Sequence, residues 1–312
     1  MTDLITTSKE IRFNSFHLGD CYEYMKLLPD KSVNLIFCDL PYGETSNPMD
    51  KPLFLADYIE MEVRKNRTIK MDFETFCVFA VKKKMDPVKV LMLWNDFKQD
   101  GLWTNFNRIL RQNGNIVLFG QGNFISTLVK SNEKQYKYDI IWNKVLISGQ
   151  LNSPYMPLRQ HESLLVFNNG IRGATYNQQY SEGKPLHSKG KNFMNKPIVN
   201  NNYGKVRHTE DLRKGSTQKF PTTIWTYPKT HPSKALYRTE KPVALLERGV
   251  RTFSNPGDLV LDCTAGSGGL AEACAMSGRN WILMDKEQEA LDAFIKRVNQ
   301  APLTLELFSN IK

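Results

Sequence analysis

The sequence predicts an open α/β fold, and three observations carry that prediction. Short apolar runs with β-branched residues recur through the first half, at 32–39 (SVNLIFCD), 114–120 (GNIVLFG), 137–144 (KYDIIWNK) and 162–167 (ESLLVF). Between the first two, residues 102–112 (LWTNFNRILRQ) place Leu102, Trp103, Phe106, Ile109 and Leu110 at helical spacing, so the order is strand, helix, strand. From residue 257 onward, GDLVLDCTAGSGGLAEACAMSGRNWILMDKE reads strand, glycine turn, helix, strand.

Each element has a local reason. The apolar runs do not alternate with polar residues, as expected of strands buried on both faces of a sheet. The helix at 102–112 is expected to stop at Asn113-Gly114. Residues 51–97 mix helical periodicity with lysine clusters and Pro87, and are predicted as a helical insertion that caps the sheet. Periodicity disappears from 168 to 230, where Asn, Gly, Lys, Ser and Thr dominate and Tyr176, Tyr180, Phe193, Tyr203 and Trp225 are interleaved. A long irregular stretch inside a compact protein is usually functional or disordered. Residues 240–254 (EKPVALLERGVRTFS) then predict a helix with Pro242 near its start.

Bulk properties narrow the function classes. The 312 residues carry a net charge of +10, which favours a polyanionic partner. Residues 168–240 hold nine lysines and four arginines against Glu182, Glu210, Asp211 and Glu240, so this quarter of the chain supplies most of the excess. No apolar run approaches the roughly 18 to 20 residues of a membrane span, and the N-terminus lacks a signal-peptide pattern, so a cytoplasmic location is expected. Cysteines at 21, 38, 77, 263 and 274 and histidines at 17, 161, 187, 208 and 231 have neither disulfide-framework nor metal-ligand spacing, and no metal is expected.

Two motifs carry chemistry. In LVLDCTAGSGG the strand ends at Asp262, and Gly266, Gly268 and Gly269 let the backbone approach a ligand ahead of a helix. A dinucleotide G-x-G-x-x-G does not fit this spacing. Asp285, at the end of NWILMDKE, is placed as an acid that could hold ribose hydroxyls, so the pair of features indicates a nucleoside cofactor. The second motif is CDLPYG (38–43), where a buried strand exits through an acid, a proline and an aromatic.

DLPY resembles the D-P-P-Y motif of S-adenosylmethionine-dependent amino-methyltransferases, and LDCTAGSGG resembles their D-P-F-x-G-S-G motif. The tetrapeptide lies N-terminal to the cofactor loop with the basic segment between them, which is the β-class order. Phage and restriction-modification DNA methylases are the nearest resemblance, and it covers most of the chain outside 51–97. It implies a Rossmann-like methyltransferase sheet with helices on both faces, a catalytic domain formed by 1–167 and 231–312, and an irregular basic target-recognition region at 168–230. It also implies double-stranded DNA as partner, bound through the basic region 168–240, and leaves a homodimer open.

The resemblance assigns roles by residue. Asp39 and the Leu40 carbonyl would accept hydrogen bonds from an exocyclic amine, Pro41 would restrict Leu40 to an extended conformation, and Tyr42 would stack on a base flipped out of the duplex. S-adenosylmethionine would be held by Asp20, Cys21, Asp39, Lys241, Pro242, Asp262, Thr264, Gly266, Ser267, Gly268 and Asp285. The implied reaction is methylation of adenine N6, because Asp accompanies adenine enzymes more often and Ser N4-cytosine enzymes. An N4-cytosine enzyme, or a methylase-derived DNA-binding protein without turnover, stays open. Leu40 replaces the usual first proline, and Gly269 replaces the usual threonine.

Overall fold

Parallel strands with fully apolar interiors stack side by side only if both faces are covered. In the computed structural model this is how the chain is built. It describes residues 11–42, 101–185, 215–231, 233–238 and 240–300, and the backbone of 5–6, 197–200 and 204–207. The insertion predicted at 51–97, and Gly43, Cys77, Phe193 and Tyr203, lie outside the described residues.

The described chain divides into two compact units, residues 1–177 with 223–312, and Gln178–Thr222. In the larger unit the strands are β1 (Ile5–Thr6), β2 (Ser15–Leu18), β3 (Val33–Cys38), β4 (Leu110–Gly120), β5 (Tyr136–Ser148) and β6 (Arg159–Phe167). The smaller unit contributes β7 (Ser181–Glu182), β8 (Pro197–Asn200), β9 (Gly204–Arg207) and β10 (Gln218–Lys219), and the larger resumes with β11 (Ile224–Thr226), β12 (Leu259–Asp262) and β13 (Asn280–Asp285). The helices are α1 (Cys21–Leu27), α2 (Leu102–Ile109), α3 (Asn123–Ser131), α4 (Val243–Phe253), α5 (Gly269–Ser277) and α6 (Gln288–Gln300).

The main sheet runs β1-β2-β13-β12-β3-β4-β6-β5-β11. Its neighbours pair in parallel except where β6 lies between β4 and β5, running against both. Side-chain alternation sorts β3 onto two cores. Leu35 and Phe37 join a core that includes Leu245, Val250, Leu270 and Phe294 from α4, α5 and α6. Ile36 and Cys38 join the opposite core with Met25, Phe106 and Leu128 from α1, α2 and α3. Among the described residues three helices therefore pack on each face, which is the expected architecture. The smaller unit contains two antiparallel pairs, β7 with β10 and β8 with β9, and a Tyr180–Phe220 ring contact at 5.6 Å.

Two local expectations are corrected. The helix predicted over 102–112 ends at Ile109, because Leu110 turns extended and pairs with Val33. The register then shifts so that Asn115 faces Leu35, with exposed Arg111–Asn113 carried by the irregularity. Trp225, counted with the aromatics of the basic stretch, is instead a core residue on edge strand β11, paired with Trp142 in register.

Helix α4 approaches β3 closely at Gly249, where an added Cβ would lie 2.4 Å from Phe37 Cε1. Both partners are held in the core, so neither can withdraw freely. We expect Gly249→Ala to lower stability by about 1–3 kcal/mol, measured by denaturant unfolding.

Candidate active site

Four neighbouring parallel strands, β2, β13, β12 and β3, deliver an acid each at their C-terminal ends: Asp20, Asp285, Asp262 and Asp39. In open α/β sheets this rim is where ligands bind. Register accounts for the alignment, since Asp285 sits opposite Leu18 and Asp262 opposite Leu283, while Leu261 faces Ile36.

The tetrapeptide after β3 is fixed on all sides. Tyr42 Oη donates to Asp39 Oδ1 at 2.7 Å, and Lys241 Nζ donates to Asp39 Oδ2 at 2.5 Å. The Thr264 hydroxyl donates to the Asp39 carbonyl at 3.1 Å, joining the glycine loop to the tetrapeptide. Leu40 is buried in the core beside α1. Its side chain thus anchors the loop where the family pattern has a proline. Tyr42 packs its ring against Phe124, with centroids 5.0 Å apart.

Two further charges complete this cluster. Lys241 Nζ lies 3.3 Å from Glu162 Oε2, and Lys144 Nζ lies 3.1 Å from Glu162 Oε1. The Lys241 ammonium also stands 5.0 Å from the Phe119 ring centroid. Burial raises the Asp39 carboxyl above its ordinary value, an effect that Lys241 opposes. Burial works against the Lys241 charge as well, but Asp39 and Glu162 outweigh it and raise the amine. Glu162 feels the same burial, yet Lys241 and Lys144 bring it below the usual carboxyl range. Burial, with Asp39 and Glu162 nearby, pushes the Tyr42 phenol well up, so it remains a protonated donor.

The glycine loop is shaped for close backbone approach. Gly268 adopts φ +71°, and an added Cβ would meet Phe294 at 2.4 Å. Gly266 N donates to Asp285 Oδ2 at 2.9 Å, and Glu287 N donates to Oδ1 at 3.0 Å, leaving lone pairs on a fixed carboxylate. The Tyr237 ring stands beside Gly266. Asp262 accepts from Thr264 N at 2.9 Å. Among the described residues no ammonium or guanidinium pairs with Asp262, and burial pushes its carboxyl up to about 7. A buried acid of this kind suits a cationic ligand.

Other sequence-predicted residues have structural duties. Asp20 caps α1 by accepting from Tyr22 N at 2.8 Å. Cys21 is buried, and so are Cys38 and Cys263, whose sulfurs are 3.6 Å apart. Ser267 is engaged by Arg297, which donates to its carbonyl at 2.8 Å and its hydroxyl at 3.1 Å. Pro242 is the N-cap of α4. At Gly269 a Cβ would approach Leu246 Cδ1 to 3.2 Å, so the small residue lets α4 sit close. Sequence reasoning did not single out Lys144, Glu162, Tyr237 or Arg297. Lys144 and Glu162 were visible only as charges at the ends of strand runs, Lys144 alongside Lys137 and Asp139.

Residues 33–296 match the DNA methylase family of N6 and N4 enzymes. The chain belongs to that family. Its members draw their methyl group from S-adenosylmethionine. Among curated relatives, the Type II methyltransferase M.HinfI of Haemophilus influenzae is 24% identical over 311 residues, covering 95% of this chain and 72% of the relative. The DNA adenine methyltransferase YhdJ of Escherichia coli K12 is 23% identical over 293 residues, covering 91% and 82%. The solved PvuII DNA methyltransferase, described as cytosine-N4-specific, shares the fold with a TM-score of 0.53 at 14% identity, covering 99% of this chain and 94% of that one. Among the described residues of the methylase, no group of His, Cys, Asp or Glu is placed to hold a metal ion, and no helix is long and apolar enough to cross a membrane.

Replacing Lys241 by Met leaves Asp39 and Glu162 as buried carboxylates without their shared cation. We expect Lys241→Met to cost about 3–5 kcal/mol near neutral pH. The loss of the cation raises both folded-state carboxyls, Asp39 further above its ordinary value and Glu162 up from below it, where Lys144 still draws it down. The penalty is therefore full above those raised values and shrinks as the pH falls and the acids protonate. Thermal unfolding of wild type and variant across acidic to neutral pH should show the two curves converging at low pH.

Proposed function

We propose that this methylase transfers a methyl group from S-adenosylmethionine to N6 of an adenine turned out of duplex DNA in the cytoplasm. The observation that carries the reading is the Asp39 carboxylate, buried at a strand C-terminus, gripped by Lys241 and Tyr42, and tied through Thr264 to the glycine loop. When bound, the cofactor supplies an electrophilic methyl on a sulfonium.

The chain's own residues do the rest. An exocyclic amine is a weak nucleophile because its lone pair is delocalised into the ring. Asp39 accepts hydrogen bonds from the amine and from Lys241 and Tyr42, since a carboxylate offers about four lone-pair sites. Its bond to the amine strengthens as positive charge grows on nitrogen, which stabilises the transition state. The Leu40 carbonyl takes the amine's other hydrogen, and the Tyr42 ring supports the base. The cofactor is held by Asp262 toward its cationic methionine part, by Thr264, Gly266, Ser267 and Gly268 through the loop, by Asp285 toward the ribose, and by Asp20, Cys21, Lys241 and Pro242 around it.

The catalytic domain comprises 1–167 and 231–312. The stretch 168–230, apart from edge strand β11 of the main sheet, is the target-recognition region, and basic residues over 168–240 contact the DNA phosphates. The adenine assignment is supported by Asp39 and by the DNA adenine methyltransferase YhdJ among the relatives.

Labelled methyl transfer to unmethylated plasmid DNA, followed by nucleoside analysis, should yield N6-methyladenine. N4-methylcytosine would move the target to the other base, and no transfer to any DNA would sink the enzymatic reading. Asp39→Ala should lower transfer by about a hundredfold or more while cofactor affinity changes little. Because Asp262 ionises only as the pH rises through about 7, S-adenosylmethionine affinity should strengthen between about pH 6 and pH 8, measured calorimetrically. Asp262→Asn should flatten that dependence.

A further inference from the structure

The connection between β5 and β6 leaves the sheet with an unusual surface. Its base is a bulge, because Asn143 pairs with His161 and Ser148 with Arg159, so four residues on one strand face one on the other. Val145 sits at φ +64°, a left-handed conformation that a β-branched residue rarely adopts. The bulge turns Lys144 inward to Glu162 and turns Val145, Leu146 and Ile147 outward. Bulges beside active sites re-aim side chains in this way.

Beyond the bulge the chain is well braced yet presents apolar tips. Asn152 N donates to the Gly149 carbonyl at 2.8 Å, and Tyr155 N and Met156 N donate to the Asn152 carbonyl at 2.9 and 3.0 Å. Despite this internal order, Leu151 is 94% exposed and Tyr155 is 86% exposed. The surroundings are cationic. Lys144 is buried against Glu162, so the cation that the hairpin itself presents is the half-buried Arg159. Edge strand β11 leads into a stretch that bonds the bulge through Lys229 N to the Lys144 carbonyl at 3.1 Å, and the Lys229 ammonium donates to the Ile147 carbonyl at 3.4 Å, which sets a positive charge on the hairpin.

We propose that this hairpin enters the duplex beside the target base, with Leu151 and Tyr155 occupying the stack as the base leaves it. The proposal rests on the DNA methyl-transfer reading above and gives that reaction its opening device. Charge selects the partner, because an apolar tip flanked by Arg159 and Lys229 complements a polyanion with a stacked apolar interior. Continuity supports it too: the strands that carry the tip also carry Lys144 and Glu162, which brace Lys241 against Asp39. Apolar wedges entering between base steps offset part of the unstacking cost.

The test uses full-length protein and a plasmid-derived duplex whose methylated position has been mapped. The duplex is prepared with the target base paired, and with the target opposite an abasic site so that no pairing need be broken. A Leu151→Ser/Tyr155→Ala double variant should lose about tenfold or more transfer on the paired duplex and stay close to wild type on the abasic one. Undiminished transfer on the paired duplex would overturn the proposal, as would an equal loss on both duplexes. It would also be overturned if sedimentation showed a wild-type dimer and a monomeric double variant, since a second copy would then cover the tip. If the wild type methylated no position on plasmid DNA that could be mapped, the methyl-transfer reading would fall and take the proposal with it, an outcome distinct from the others.

Discussion

A cation largely withdrawn from water costs several kcal/mol unless carboxylates and hydrogen bonds replace its hydration. Lys241 meets that condition by lying 2.5 Å from Asp39 and 3.3 Å from Glu162, above the face of Phe119. Its position fixes much else. Asp39 must come from the end of β3, Glu162 from antiparallel β6, and Lys241 from the segment ahead of α4, so the pair closes only when all three elements are assembled. Lys144 completes the balance, giving two carboxylates and two ammoniums. That balance matters for the reaction proposed. A lone ammonium at Asp39 would oppose positive charge growing on an attacking amine, whereas Glu162 offsets it locally and leaves Asp39 its attraction.

The second constraint is the row of acids along the sheet rim. Asp39, Asp262 and Asp285 end adjacent parallel strands, and each is treated differently. Asp39 has Lys241, Asp285 has backbone donors at Gly266 and Glu287, and Asp262 has the Thr264 donors and the Cys38 thiol. The same backbone geometry thus yields a paired acid, a fixed acceptor and an acid whose carboxyl rises to about 7. This division suits a ligand with a hydroxylated end and a cationic end, lying across β13 and β12 toward β3.

Much of this was legible in the sequence because burial leaves a strong mark. The apolar run at 32–39 contains β3, those at 114–120, 137–144 and 162–167 lie within β4, β5 and β6, and the glycine loop lies between β12 and α5. Short elements were not legible. Strand β2 has four residues and α1 has seven, too few for periodicity to show, and β11 was hidden inside polar sequence although Trp225 is buried. The charge network was hidden for another reason. Lys144 and Glu162 are charges at the ends of the runs at 137–144 and 162–167, and only the folded β5 bulge, which turns Lys144 inward, brings the two together. Leu40 looked like a weakness in the tetrapeptide, yet its buried side chain anchors the loop.

The tripeptide Glu240-Lys241-Pro242 shows how the two halves of the site are held in common. Pro242 caps α4. Lys241 reaches one way, to Asp39 and Glu162. Glu240 reaches the other, pairing with Arg297 at 2.8 Å, and Arg297 holds the carbonyl and hydroxyl of Ser267 in the glycine loop. Glu240 also accepts from Leu236 N at 2.8 Å, which secures the approach to the helix. A displacement of this segment would therefore loosen the acid of the tetrapeptide and the turn of the glycine loop together. The Thr264 hydroxyl bond to the Asp39 carbonyl links the same two parts from the opposite side. Two independent connections make the separation between acid and loop a property of the folded core, so a reaction requiring those parts at fixed spacing does not depend on the conformation of one side chain.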